Sequence, residues 1–329
     1  MLSTKFSEQQ RFAIAETQLF PHDKDMADFQ HILVLINPRS GLGVSERRLM
    51  EAFQEVWDIP PRMVRYQFSQ SMEDGERKID QAIKNGVDTV FVVGGDGMIN
   101  TVGGHLLGTG VTLGVIPAGS GNGFGRHFEI PLQPVKAVQA LAKGSVREID
   151  VGFANERPFF VTCSLAWDAA IVKSFEKSPV RGVLPYIFAA AYELFDYKPE
   201  EFSIRLDDSP AQTVDQPMLF TIANLTQYGG GALIAPQARA DDGKLWLTYA
   251  KKSDVPKLIP QLPKFFEGKI NQVDSIVTHA FTKLHVVRET AQPIQVDGEL
   301  MESPAEVTIT IRPKALKVLL PQKTENSTF

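Results

Sequence analysis

Cysteine is almost absent from this sequence, and Cys163 stands alone among 329 residues. A lone thiol cannot form an intramolecular disulfide, so we expect a reducing compartment such as the cytoplasm. No apolar run reaches the roughly 18 residues that a membrane-spanning helix requires. The amino-terminal MLSTKFSEQQ lacks the apolar core of a signal peptide. These absences predict a cytoplasmic protein without a transmembrane segment, with Cys163 in a buried strand.

Positive charge is not in excess either. The net charge is −5, which argues against general binding to nucleic acid. Hydrophobic residues make up 43% of the chain and charged residues 22%, as in ordinary globular proteins. A chain of 329 residues is long enough to form two domains.

Several common phosphate-binding and kinase motifs are missing. The sequence contains no GxxxxGK[ST] segment, which excludes a Walker-type phosphate loop. The catalytic-loop and DFG motifs of protein kinases are absent. Neither Gly41-Leu42-Gly43 nor Gly119-Ser120-Gly121 continues into the dinucleotide-binding fingerprint, and the six histidines lack metal-ligand spacing. None of these familiar classes therefore explains the glycine-rich loops of the chain.

Predicted strands and helices alternate in the first half of the sequence. Apolar runs predict strands at residues 31–36, 62–68, 89–93 and 111–116. Helical spacing is found at residues 45–57, 72–85 and 134–143. This alternation predicts a parallel sheet that binds ligands at the carboxyl ends of its strands.

Glycine-rich loops follow three of these strands. The run Gly94-Gly95-Asp96-Gly97 separates a buried strand from a segment that can open a helix. Glycines let a ligand approach the backbone, and a helix N-terminus favours anions such as phosphate. The Asp96 carboxylate would then need a metal ion or a transferred proton beside it. A tight turn with Asp96 as N-cap is the alternative, but loops at residues 37–43 and 117–126 would gather at the same edge and favour a nucleotide site.

The second half is rich in predicted strands. They fall at residues 146–153, 158–164, 202–206, 218–224, 244–250, 283–288, 293–296 and 305–311, with helices at 183–197 and 255–266. This pattern predicts a β-sandwich. We therefore expect an arm at residues 1–30, an α/β domain at 31–147 and a β-rich domain at 148–329. The sequence leaves open whether the last strand returns to the first domain.

Five motifs occur together in one order: Asn37-Pro38-Arg39-Ser40-Gly41, Gly94-Gly95-Asp96-Gly97, Pro117-Ala118-Gly119-Ser120-Gly121-Asn122, Asp241-Asp242-Gly243-Lys244-Leu245 and Asp297-Gly298-Glu299. In this order and spacing the chain resembles the catalytic domain shared by bacterial diacylglycerol-kinase-like lipid kinases, sphingosine kinases and ceramide kinases. The resemblance covers residues 31–320. It implies an α/β domain like that of NAD kinases and phosphofructokinases, followed by a β-rich sandwich domain.

The resemblance implies phosphoryl transfer from ATP, with Mg²⁺, to a lipid hydroxyl of the sphingoid-base or diacylglycerol type. The residues expected to hold the nucleotide are Asn37, Pro38, Arg39, Ser40, Gly41, Ser69, Gly94, Gly95, Asp96, Gly97, Asn100 and Ser120. An NAD kinase-like enzyme and a non-catalytic lipid-binding relative are the alternatives. Only Met98, where the family often has Thr, and Gly123, where many members have Asp, support the non-catalytic relative.

Asp297 and Glu299 are the candidates for proton transfer. In a strand, their spacing would place both carboxylates on one face. Such a pair can raise one pKa and create a proton acceptor. A hairpin turn at Asp297-Gly298 is the alternative. With the resemblance, we expect catalysis, with Glu299 as the base and Asp96 as a competing base or a Mg²⁺-linked carboxylate.

The remaining expectations concern the lipid and a second metal ion. By the resemblance, Asp168 lies near the head group of the acceptor, and Asp242 binds a structural Mg²⁺ with the backbone carbonyls of Arg239 and Lys244. A lipid kinase without a spanning helix must visit the membrane surface. We expect peripheral contact at residues 173–182 and expect the 255–266 helix to pack on the second domain. A homodimer is compatible with the resemblance, but the sequence does not give the oligomeric state.

Overall fold

The computed structural model describes residues 29–38, 40–41, 45–166 and 199–322. Five sequence-based expectations therefore lie outside the described residues: the arm up to residue 28, Arg39, Asp168, the contact loop at 173–182 and the helix at 183–197.

The first domain is built from alternating strands and helices. In chain order these are β1 His31–Ile36, α1 Glu46–Val56, β2 Met63–Phe68, α2 Met72–Lys84, β3 Thr89–Gly94, α3 Asp96–Leu106, β4 Thr112–Pro117, α4 Gly123–His127 and α5 Pro134–Leu141. The strands pair in parallel in the order β2-β1-β3-β4. The predicted parallel α/β architecture is confirmed, whereas α4 lies inside a segment predicted to be a loop.

Local sequence signals explain the first two helices. Ser45 and Ser71 are the N-caps of α1 and α2, and each hydroxyl accepts a hydrogen bond from the backbone N–H three residues later. Helix α1 buries Phe53, whose ring packs edge-on against Phe91 of β3 at 5.1 Å between centroids. Every residue of β3 is buried, as expected for a central parallel strand covered on both faces.

The rest of the described chain is mainly strands. They are β5 Ser145–Ala154, β6 Arg157–Phe159, β7 Thr162–Ser164, β8 Phe202–Leu206, β9 Gln212–Val214, β10 Pro217–Ala223, β11 Gln227–Gly229, β12 Ala232–Leu233, β13 Leu245–Lys251, β14 Val277–Phe281, β15 Lys283–Val287, β16 Ile294–Val296, β17 Glu299–Met301 and β18 Glu306–Leu320. One antiparallel sheet has the order β14-β13-β10-β7-β16-β17. It shares an apolar core with β8, β15 and part of β18, and Cys163 lies in that core. The predicted sandwich is confirmed.

The last strand, β18, runs through both halves of the molecule. It pairs antiparallel with β15 and β5, and its residues Val318 and Leu319 pair in parallel with β4. One sheet thus extends from the α/β domain into the sandwich. The strand is irregular between Arg312 and Leu316, where the N–H of Lys314 donates to the buried Asp150 carboxylate at 2.8 Å.

Two predicted elements are interrupted. The strand expected at residues 158–164 breaks between β6 and β7 at Phe160 and Val161. The helix expected at 255–266 is divided into α6 Val255–Leu258, a 3₁₀ turn Ile259–Gln261 and α7 Pro263–Phe266. Pro260 and Pro263 explain the division, because each lacks the N–H that the interior of a continuous helix requires, whereas Pro256 lies in the first turn of α6, where that N–H has no partner.

Candidate active site

Loops after all four parallel strands meet at the carboxyl edge of the sheet. The N–H of Asn37, after β1, donates to the carbonyl of Val93 in β3 at 3.1 Å. The N–H of Ala118, after β4, donates to the carbonyl of Gly94 at 2.9 Å. The N–H of Ser69, after β2, donates to the last carbonyl of β1 at 2.8 Å. The predicted gathering of these loops is therefore observed.

The two main glycine loops touch through their backbones. A Cβ on Gly119 would lie 2.6 Å from the Cα of Gly95, which is closer than real Cβ contacts allow. Asn122 fixes the second loop from within, since its amide accepts from the N–H of Gly119 at 2.8 Å and donates to the carbonyl of Gly119 at 2.7 Å. Asn122 itself has a left-handed backbone, with φ of 51°. Helix α3 then starts from Gly95, an N-cap that supplies no side-chain hydrogen bond to the N–H groups of the first turn.

Asp96 joins these two loops. It is the first residue of α3, not an N-cap, and its carboxylate accepts hydrogen bonds from the N–H groups of Gly123 at 2.8 Å and Phe124 at 3.0 Å. These bonds fix the start of α4. Burial raises the pKa of Asp96, while the two N–H donors and the charge of Arg126 act against that rise. Asp96 is therefore both a structural link and a half-buried carboxylate at the loop edge.

The two departures from the family pattern have structural roles. Met98 is packed against the first loop, and a Cβ on Gly94 would lie 2.8 Å from its sulfur. Gly123 supplies its backbone N–H to Asp96, and a Cβ there would lie only 3.1 Å from Cγ1 of Val161. Position 123 therefore acts through its backbone, in a space too tight for a larger side chain without movement of Val161.

A glycine hairpin that the sequence analysis did not single out lies over the second loop. Strands β11 and β12 are joined through Gly229, Gly230 and Gly231, all with positive φ. A Cβ on Gly121 would lie 4.0 Å from the Cα of Gly229, so the hairpin adjoins the loop. The run of three glycines was the available signal, because glycine adopts positive φ without steric cost.

Asp297 and Glu299 do not share one face of a strand, so that expectation is wrong. Asp297 and Gly298 have φ of 47° and 92° and form the two-residue turn of the β16–β17 hairpin, in which Val296 pairs with Glu299. The alternative, a hairpin turn, is therefore the observed geometry. Both carboxylates nevertheless reach helix α3, at two positions one turn apart.

Asp297 is 5% exposed, and its carboxylate is surrounded by donors. One oxygen accepts from Nδ2 of Asn100 and from the N–H of Phe160, each at 2.8 Å. The other accepts from the N–H groups of Val161 at 2.8 Å and Thr162 at 3.0 Å. Burial raises the pKa of Asp297 to about 6, against the opposing effect of these donors. This carboxylate closes the β6–β7 break and ties it to α3.

Asn100 is part of the same junction. Its Nδ2 donates to the carbonyl of Pro158 and to Asp297, each at 2.8 Å. Both amide hydrogens therefore serve the contact between α3 and the second domain. Asn100 was expected to contact the nucleotide, and this contact between the domains is an additional role.

Glu299 lies directly beside the first glycine loop. A Cβ on Gly97 would collide with Oε1 of Glu299, so a larger residue there would displace the carboxylate from its present position. Glu299 is half-buried. Because a helix N-terminus favours a negative charge, this position at the first turn of α3 is electrostatically favourable.

The other expected nucleotide residues take varied positions. Asn37, Pro38 and Ser40 form a turn in which the N–H of Ser40 donates to the carbonyl of Asn37 at 3.1 Å, and Gly41 follows it. Ser120 is exposed in the second loop. The Ser69 hydroxyl donates to the carbonyl of Ser71 at 2.7 Å, so it serves the turn before α2.

The expected structural metal site is a turn before β13. Asp242 accepts a hydrogen bond from the N–H of Lys244 at 3.0 Å, and Arg239 pairs with Asp241 at 3.3 Å. Burial raises the pKa of Asp242, and the nearby carboxylates of Asp150 and Asp241 add to that rise. A bound cation would relieve this crowding of negative charge, and oxygen atoms are the ligands that Mg²⁺ prefers. Across the described ranges, no cluster of three or more His, Cys, Asp or Glu residues is suited to a metal ion.

Fold and site define a two-domain protein in which an α/β domain with backbone-rich loops meets a β-sandwich that contributes carboxylates. Residues 31–154 match the family model of the diacylglycerol kinase catalytic domain, and residues 162–320 match that of the YegS C-terminal NAD kinase beta sandwich-like domain. The chain therefore combines a diacylglycerol kinase catalytic domain with a YegS-type C-terminal sandwich domain.

Individual relatives agree over nearly the whole chain. A protein from Mycobacterium tuberculosis named "Diacylglycerol kinase" is 28% identical over 298 residues, covering 88% of this chain and 95% of the relative. A protein from Salmonella arizonae named "Probable lipid kinase YegS" is 27% identical over 304 residues, covering 90% and 98%. A crystal structure of a diacylglycerol kinase from Bacillus anthracis str. Sterne aligns with a TM-score of 0.66 at 20% identity, covering 90% and 98%, which supports the fold.

Proposed function

We propose that the protein is an ATP-dependent lipid kinase that transfers the γ-phosphate to a lipid hydroxyl. Family membership and the names of its relatives support a lipid kinase in general. The observation that carries the proposal is the position of Glu299, whose carboxylate lies against Gly97 in the first glycine loop. A candidate base from the sandwich thus adjoins candidate phosphate-binding N–H groups of the α/β domain.

The chain's own residues would divide the work as follows. The loops at residues 37–41 and 94–97, with Arg39, would hold the phosphates through N–H groups and charge. Glu299 would accept the proton of the lipid hydroxyl. At the same time the hydroxyl oxygen would bond to the γ-phosphorus, and the bond between the γ-phosphorus and ADP would break. Asp297, with its four donors, positions this turn and is not the base.

Metal ions fit two places in this proposal. When bound, Mg²⁺ would neutralise charge on the phosphates, and Asp96 is the carboxylate at the loop edge that would hold it. Asp242, with the carbonyls of Arg239 and Lys244, would hold a second, structural ion. Asp168 would lie near the acceptor lipid, which is a sphingoid base or a diacylglycerol.

The test is incubation with labelled ATP and a panel of acceptors, followed by lipid extraction. The panel contains a diacylglycerol, a sphingoid base, a ceramide and, as the alternative acceptor, NAD. We expect label in one extracted lipid and its loss in Glu299→Gln. Label in NAD alone, or in no acceptor, would overturn the proposal.

A further inference from the structure

Residues 251–272 present apolar side chains among lysines on the surface of the second domain. Phe266 is 60% exposed and Leu262 is 50% exposed, more than any other large apolar side chain in the described ranges. We propose that this segment, called the lysine-rich segment below, docks the protein onto an anionic lipid bilayer. The inference rests on the proposed function, since a lipid acceptor is what requires contact with a membrane.

The backbone of the segment holds the two apolar side chains side by side. Leu262 is the N-cap of α7 and Phe266 is its last residue, so they stand one helical turn apart. Phe265, between them, packs inward against an apolar cluster that includes Ile234 and Trp246. Phe265 thus anchors the turn, while Leu262 and Phe266 remain at the surface. The expectation that this segment merely covers the second domain is therefore wrong for these two residues.

Charge complements this apolar pair. The lysine-rich segment has five lysines, at positions 251, 252, 257, 264 and 269, against two acidic residues, Asp254 and Glu267, although the whole chain is negative. Lys264 is used within the fold, donating to the Gln261 side chain at 2.9 Å and the Gln272 carbonyl at 3.0 Å. Lys257 and Lys269 pair with Asp254 and Glu267 at 3.6 and 2.9 Å, yet remain largely exposed. Exposed lysines in the same segment as two exposed apolar side chains suit the surface of a membrane with anionic head groups.

The lysine-rich segment is linked to the candidate active site through one hairpin. A Cβ on Gly268 would lie 3.2 Å from Cδ1 of Leu233 in β12. The other strand of that hairpin carries Gly229, which adjoins Gly121 of the second glycine loop. The lysine-rich segment is thus connected to the second glycine loop through a single hairpin.

A bilayer fits this surface better than a second copy of the chain. Stable protein interfaces usually bury at least about 1,000 Å² around a well-packed apolar centre. One leucine and one phenylalanine are too few for such a centre, and the five lysines of the segment would place like charges together in a symmetric pair. Shallow insertion of a few apolar side chains, aided by lysines, is sufficient for interfacial membrane binding.

The experiment is vesicle co-sedimentation of the full chain at low and physiological salt. The vesicles are phosphatidylcholine alone or phosphatidylcholine mixed with phosphatidylglycerol. Wild type is compared with Leu262→Ser/Phe266→Ser, with Lys257→Gln/Lys269→Gln and with the control Ile59→Ser/Met63→Ser. The control alters two apolar side chains that are 44% and 48% exposed in the first domain. Circular dichroism confirms that each variant is folded.

We expect the apolar double variant to lose about tenfold in binding to mixed vesicles, since two large side chains no longer leave water. The lysine variant should lose its preference for anionic vesicles at low salt, and the control should bind as wild type does. Wild-type-like binding by the apolar double variant would overturn the proposal. So would loss of self-association in that variant with unchanged vesicle binding, because the surface would then join two copies.

The two proposals fail in different ways. Wild-type protein is assayed in parallel on a short-chain lipid dispersed in water. If wild type phosphorylates that lipid and the apolar double variant binds vesicles as well as wild type does, the docking proposal is overturned and the proposed function stands. Vesicle binding that depends on Leu262 and Phe266, without phosphorylation of any lipid, supports the docking surface and sinks the proposed function.

Discussion

The loop at Asp96-Gly97 and the turn at Asp297-Gly298 contain the same Asp-Gly dipeptide, but the two aspartates have different surroundings. Asp96 accepts two backbone hydrogen bonds and remains half-buried at the loop edge. Asp297 accepts four hydrogen bonds and is 5% exposed. A carboxylate whose lone pairs are filled by the fold holds structure, whereas one with acceptor capacity left can bind or react.

Substitution of Glu299 should have the largest effect on the rate. The Asp297-Gly298 turn positions this side chain beside α3, where it is the proposed base. Glu299→Gln keeps the shape and removes the proton acceptor, so the rate should fall about 10²–10⁴-fold. The free energy of unfolding should change little. Turnover with labelled ATP and the lipid found in the acceptor panel measures the rate. Exposed Glu302, directly after the same hairpin, gives the matched control Glu302→Gln. A variant that keeps more than about a tenth of the rate would make Asp96 the leading base.

Substitution of the two aspartates tests the comparison directly. Asp297→Asn should lower the free energy of unfolding by about 3 kcal/mol, because an amide cannot accept from all four buried donors. Asp96→Asn should lower the free energy of unfolding by about 1 kcal/mol but reduce turnover more strongly, since its lost charge lies at the proposed phosphate-binding loop. Urea unfolding measures the first effect and labelled-ATP turnover the second, with exposed Asp208→Asn as control. Equal stability losses in the two variants would refute the distinction.

Gly97→Ala displaces Glu299 without changing any charge. The added Cβ would collide with the Glu299 carboxylate, and a displacement of about 1 Å can cost about 10²-fold in rate. Gly104→Ala, on the same helix, is the control, since its Cβ would meet Pro158 at an ordinary 3.5 Å. Equal turnover by the two alanine variants would show that Glu299 does not act from this position.

Local sequence signals predicted the α/β order, the sandwich and the gathering of the glycine loops. The prolines at 260 and 263 also indicate the division of the 255–266 helix, although the prediction did not use them. Other features depend on distant partners. Helix α4 starts at N–H groups capped by Asp96, 27 and 28 residues earlier. The Asn100–Asp297 contact spans 197 residues. No periodicity encodes such contacts, so the junction required the structure.

The smallest expected effect is a dependence of stability on pH. Its sign differs between His127, at the Asp96 junction, and Asp297. His127, in the helix that Asp96 fixes, is 4% exposed, and burial lowers its pKa to about 4. Below about pH 6.5 the unfolded state therefore binds a proton at His127 that the folded state does not bind. Acidification from about pH 7 to about pH 5 should lower the free energy of unfolding by about 2 kcal/mol. Asp297 acts oppositely, since its raised pKa makes the folded state hold a proton more tightly.

That proton on Asp297 stabilises the fold at low pH, and the stabilisation is lost as pH rises through about 6. Through Asp297, acidification from about pH 7 to about pH 5 should therefore raise the free energy of unfolding by about 1 kcal/mol. Urea unfolding of wild type, His127→Gln and Asp297→Asn at these two pH values separates the terms. Relative to wild type, His127→Gln should become more stable on acidification and Asp297→Asn less stable. If both variants shift in the same direction, the two buried groups do not titrate as their surroundings indicate.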